Sequence, residues 1–227
     1  MLKVLLKKGK PNSIIPFIKG QIHLPFLIQK TMKTKSLKKI TRSLLIFCGI
    51  ALIVSIFVPL WSIYLVAPQY PEGLAMYLWS HKISGDYEII NGLNHYIGMK
   101  TIHEEDFWEF RVLPYILAFF ALLALLTAYL NKKSWLYVLT VLFMIFGVAF
   151  MVDFWLWEYD YGHNLDPQAA IQVPGMTYQP PLIGFKQLLN FEAYSWPNIG
   201  GGIMFGVAVI LVILAFTEYR SRRTVAD

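Results

Sequence analysis

Four apolar runs stand out along the chain, each bounded by polar residues and each near the length that an apolar slab about 30 Å thick demands. The first is Ser43 to Val66, SLLIFCGIALIVSIFVPLWSIYLV. The second, Val112 to Leu130, carries no charge at all. The third runs from Trp135 to about Trp157 with one acid, Asp153, and the fourth from Gly201 to Phe216, short enough to need extension at both ends. Backbone polar groups in hydrocarbon must be satisfied within the segment, so each run is predicted to be a helix. The pattern therefore predicts an all-α membrane protein of four transmembrane helices. Its two long connections, about 67–111 and 158–200, would carry short interfacial helices such as Pro181 to Phe191, seated by rigid proline turns.

Composition agrees with the membrane class. Hydrophobic residues make up 56% of the 227, charged residues 15%, and the mean hydropathy is +0.50; a soluble domain carries about 25% charge. The distribution of charge adds an orientation. Lys33, Lys35, Lys38, Lys39 and Arg42 precede the first run, Lys132 and Lys133 lie between the second and third, and Arg220, Arg222 and Arg223 follow the fourth. By the positive-inside bias these clusters belong in the cytoplasm, with both termini, and the two long connections face outward. The first of those connections holds seven acids against Lys82, Lys100 and Arg111, and Trp61, Trp108, Trp155, Trp157 and Trp196 gather near the outer boundary, where indole rings sit well. The expected organisation is a basic cytoplasmic tail, 1–42, and a membrane domain, 43–223, in a bacterial inner membrane.

The tail holds eleven of the twenty Lys and Arg and no acid. It is too short of folded character for nucleic-acid binding. Its first 31 residues, broken by Pro11, Pro16 and Pro25, read in two ways. One is a basic amphipathic segment on anionic lipid. The other, preferred, is sequence upstream of a natural start at Met32, which would open a basic n-region and a signal-anchor. Cys48 is the only cysteine, which excludes an intramolecular disulfide and paired-thiol chemistry.

Candidate chemistry lies in the outward connections. In NGLNHYIGMKTIHEEDF, His95, Met99 and His103 fall at i, i+4 and i+8, one face of a helix if the segment is helical. Imidazole with thioether is a copper donor set, because thioether selects Cu(I). The competing reading is that Gly92 and Gly98 weaken the helix and Met99 packs inward. Asp153 is an acid at membrane depth and so a functional candidate, with a structural pair to Arg111 as its alternative. His163, on a predicted turn, and Met176, in a proline-bracketed loop, complete the expected set. A Gly-rich phosphate loop, a bis-imidazole haem site and a nucleophile elbow are all absent from the sequence.

APQYPEGL, INGLNHYIGMKTIHEEDF, VDFWLWEYDYGHNLDP and VPGMTYQPPLIGFKQLLNF, spread over about residues 58–200, resemble a small family of bacterial inner-membrane proteins encoded beside nitrous oxide reductase and its copper-delivery proteins. The resemblance brings a context and no catalytic residues. It implies an accessory protein in the maturation of a periplasmic copper enzyme, which binds or hands over copper, or docks copper-delivery proteins, on the outer face; the residue pattern itself offers His95, Met99 and His103 as ligands, with His163, Met176 and Asp153 closing the site. Its partners would be the lipid bilayer and the copper enzyme or its delivery proteins. The alternative is a metal-free docking or structural subunit for a periplasmic enzyme or electron donor. A small permease is a third reading, disfavoured by the single clear intramembrane charge.

Overall fold

The computed structural model describes residues 36–223, with side chains as far as Ser221; the readings of residues 1–31 and of the start at Met32 lie outside them. Helix α1 is Lys39–Ser55 and is followed by strands β1, Trp61–Ala67, β2, Tyr70–Leu78, and β3, Ile83–Gly85. Helix α2, Tyr87–Ile97, leads through a 3-10 turn at Glu104–Asp106 to α3, Glu109–Leu130, and α4, Lys133–His163. Strands β4, Gly184–Leu188, and β5, Phe191–Pro197, precede α5, Ile199–Arg223.

The all-α, four-span expectation is overturned. Among the described residues, three helices are long and apolar enough to cross a membrane: α3, α4 and α5, the last over Ile199–Ser221. The first apolar run splits instead: 17 residues of α1, about 25 Å at 1.5 Å per residue, then a strand. Pro59 stands at the break, where a missing N–H and a clash with the preceding turn end a helix. WSIYLVA is rich in aromatic and β-branched residues, which favour a pleated surface. An unbroken apolar run is ambiguous between helix and buried strand until its neighbours are known. The two long connections also supply strands: the segment from Pro181 to Phe191, expected as an interfacial helix, forms β4 and its turn into β5.

All five strands make one antiparallel sheet in the order β3-β2-β1-β5-β4. Side chains alternate between its faces, and the register sorts them. Trp61 and Ile63 of β1, Leu74 and Met76 of β2, and Ala193 of β5 point inward, onto Ile90 of α2 and Phe154 and Tyr161 near the end of α4. The other face turns Tyr64, Phe185 and Trp196 to solvent. There Glu192 accepts the Tyr194 hydroxyl at 2.8 Å and holds that phenol above its ordinary range. The loop after α2 is held by Asn91, whose amide donates to the Ile102 carbonyl at 2.9 Å and whose oxygen accepts from the Ile102 N–H at 2.7 Å.

The sheet grows directly out of the bundle. β1 follows α1, β5 precedes α5, and the two strands pair along Trp61–Val66, so the first and last described helices meet where both chains leave the bundle. Here the Gly200 N–H donates to the Pro59 carbonyl at 2.8 Å, and the Gly201 and Asn198 N–H groups to the Leu60 carbonyl at 3.1 and 3.0 Å. These are the orphan donors at the start of α5, satisfied by backbone. The approach needs bare backbone: a Cβ on Gly201 would stand 2.3 Å from the Leu60 oxygen.

The opposite end of the bundle is fastened by charge. Lys133 and Glu218 are both buried and pair at 2.6 Å. The Lys133 ammonium also donates to the Glu218 carbonyl at 3.0 Å, and Glu218 Oε1 accepts from the Thr41 hydroxyl at 2.7 Å and the Lys38 N–H at 3.0 Å. One carboxylate thus ties α1, α4 and α5, and Lys133, counted from sequence among the positive-inside charges, is an interior cation.

Two measurements of thermal unfolding in detergent check these contacts. Glu218→Gln or Lys133→Met alone leaves the other charge buried without a counter-charge and is expected to cost about 3–5 kcal/mol, whereas the double variant should recover most of the loss. Gly201→Ala should destabilise by about 1–3 kcal/mol through overpacking. Gly202→Ala, where a new Cβ meets nothing within 4 Å, should be neutral or slightly stabilising from helix propensity.

Candidate functional site

The sequence-predicted ligands are spread over several surroundings. Helix α2 ends at Ile97, and Gly98 takes a left-handed φ of 78°, which glycine adopts without a Cβ penalty. His95 is therefore on the helix while Met99 and His103 lie beyond it, and the one-face helical stripe does not form. His95 and His103 are exposed; Met99 is half-buried and packs against the sheet core. His163 is the last residue of α4, stacked on Tyr159 at 3.9 Å, with Nδ1 3.0 Å from the Tyr159 carbonyl. Met176 is half-buried in the loop before β4. Asp153 is exposed on α4, and the pair with Arg111 is not made: the ion pairs among the described residues are Lys100–Asp160 and Lys133–Glu218. Among the described residues no three His, Cys, Asp or Glu side chains gather as a metal-holding group.

What the fold does bring together is a cavity of about 70 Å³ between the inner face of the sheet, α2 and α4. Ile63, Met76 and Ala193 close it from the sheet, Ile90 and Asn94 from α2, and Met99 from the loop after it. Its polar residues are few. Glu158 is fully buried, and both carboxylate oxygens lack a hydrogen-bond partner. The Tyr178 hydroxyl and the Trp157 indole N–H are likewise buried and unpartnered. Lys186, on the same sheet face, is turned to the Gln179 carbonyl at 2.9 Å. The segment carrying Tyr178 crosses α4 at Gly162, where a Cβ would come within 2.3 Å of Gln179, and the Tyr178 N–H donates to the Gly162 carbonyl at 2.9 Å.

Trp157 is also a wall of a second, larger space of about 310 Å³ between the start of α3 and α4, which Glu109 and Asp153 line with Trp61, Trp79 and Phe107. α4 is thus flanked on one side by a crevice with two carboxylates and backs, further along, onto a smaller cavity with a third.

Asp153 was legible as a candidate from its depth; Glu158 was overlooked, although a signal was present. Phe154, Trp157, Glu158 and Tyr161 recur at the spacing of one helix face, so the acid sits on an apolar stripe, where no solvated face could take it. The chain has no match among family models, curated proteins or solved structures.

Proposed function

We propose that this is a non-catalytic binding protein of the bacterial cytoplasmic membrane, which holds a small ligand in the cavity under its sheet. The observation that carries the reading is Glu158. A buried polar group without a partner costs about 1–3 kcal/mol, and more when charged. Natural structures leave few such groups, each calling for a water, an ion or a function. Here carboxylate, phenol and indole N–H all border one apolar space, the pattern of a ligand pocket with a few orienting polar groups. At roughly 10–15 Å³ per water position, the cavity takes several waters or a molecule of a few heavy atoms. The ligand suited to it has an apolar body and one hydrogen-bond donor for Glu158. The basic residues Lys132 and Arg220 lie at the end of the bundle away from the sheet, and the positive-inside bias puts the sheet on the outer side.

A second reading keeps the copper role that the resemblance implies, in a different place. Met76 and Met99 both line the Glu158 cavity, and two thioethers beside one carboxylate favour Cu(I) over zinc. The exposed imidazoles of His95 and His103 take no part in this version. The wider role in maturing a copper enzyme rests on the resemblance alone.

Glu158→Gln and Glu158→Leu separate function from architecture. If Glu158 serves a ligand, both variants should keep or raise the melting temperature, since replacing an uncompensated buried acid relieves a cost. A small molecule retained by the native protein in native mass spectrometry should then vanish. Lower stability with no retained molecule in either form would make the residue structural. Anaerobic Cu(I) titration decides the second reading. Met99→Leu conserves volume, so packing should change by less than about 1.5 kcal/mol, while a thioether ligand would lose at least tenfold in Cu(I) affinity.

A further inference from the structure

Glu109 and Asp153 are two carboxylates beside an aromatic crevice that serve neither the bundle nor the Glu158 cavity. They line the 310 Å³ crevice beside apolar residues such as Leu60 and Leu113, and neither belongs to an ion pair among the described residues. The remaining wall is largely aromatic, with Trp61, Trp79, Phe107, Phe154 and Trp157 among its rings. Ring faces carry negative electrostatic potential, so rings and carboxylates together attract a cation and repel an anion. The kind of cation follows from the donor set. A hard metal ion requires six or more oxygens, and two side chains fall short of that. An alkylated ammonium is weakly hydrated and is stabilised by ring faces, as in aromatic cages.

A place for an apolar tail adjoins the crevice. A cleft of about 460 Å³ lies between α4 and α5 and shares Leu60, Trp61 and Phe150 with the crevice; its other walls, Met144, Gly201 and Met204 among them, carry no charge. We infer that the crevice binds an organic ammonium group borne on an apolar body, with Asp153 and Glu109 as counter-charges and the rings as the cage. This site is independent of the Glu158 ligand, and Trp157 is their common wall.

The probe is radiolabelled benzyltrimethylammonium, bound to the full chain in phosphatidylglycerol nanodiscs, with empty discs subtracted. Saturable binding is expected, displaced by unlabelled probe and not by its neutral isostere neopentylbenzene. Asp153→Asn with Glu109→Gln should weaken it at least tenfold, Trp79→Leu several-fold, and Glu158→Gln should leave it unchanged. Asp153 is exposed, so Asp153→Asn alone carries the test should the double variant fail to insert. The source of the ammonium is read by repeating the titration in phosphatidylethanolamine discs: competition identifies a lipid head group, and unchanged binding identifies a free amphiphilic cation. Equal displacement by the neutral isostere, or undiminished binding in the carboxylate variants, would overturn the assignment.

Discussion

The seam between Leu60 and the glycines that open α5 is the contact on which the rest of the architecture depends. Two chain segments leave the bundle there, and each would otherwise bring unpaired backbone groups to the edge of an apolar phase. The Pro59 and Leu60 carbonyls accept the first donors of α5, and that same approach starts the β1–β5 register two residues later. Once β1 and β5 are aligned, β2 and β4 follow by hairpin and β3 by a short return. The inner face then has only one place to bury, against α2 and the far end of α4. A Cβ at Gly200 or Gly201 would press on Pro59 and Leu60 and so strain the alignment of the central strands that roof the cavity.

Two interior carboxylates show how differently such a group can be accommodated. Glu218 has an ammonium, a hydroxyl and an amide N–H around it, so its desolvation is offset on every side and it acts as a clasp. Glu158, equally buried, has no hydrogen-bond partner, and only the field of the Lys186 ammonium favours its charge. The same side chain in the same degree of burial is structural at one end of the molecule and unexplained by structure at the other. That contrast, more than burial itself, is what the proposed ligand site rests on.

The long helices were legible because apolar runs near twenty residues long, set off by charged residues on either side, satisfy their backbone within the segment. The sheet was not, for a physical reason. Its central strand is buried along most of its length and lies between Pro59 and a two-residue turn, so its apolar stretch fuses with that of α1 and loses the alternation that would expose it. The site was partly legible. Asp153 announced itself by depth and does line a ligand-sized crevice. The His95–Met99–His103 spacing presumed a helix that Gly98 ends, and a periodicity argument cannot run through a residue that reverses the backbone. Glu158 and Glu218 share a signature that a search for motifs passes over: an acid falling on the apolar stripe of its own helix.

Helix α4, at 31 residues, is about 46 Å long, well beyond the thickness of a bilayer's hydrocarbon. Its last turns are locked into the core under the sheet, while its middle borders open clefts on both flanks. A membrane that thickens or thins therefore acts on a rod held at one end and loosely braced along its length. Mismatch of that kind is relieved by tilt, at fractions of a kcal/mol per ångström. The tilt would pivot at Phe154–Tyr161 and change the width of the crevice on one side against the cleft on the other. Ligands held in the two spaces would then feel bilayer thickness, and lipid chain length would act on the protein without touching either of them.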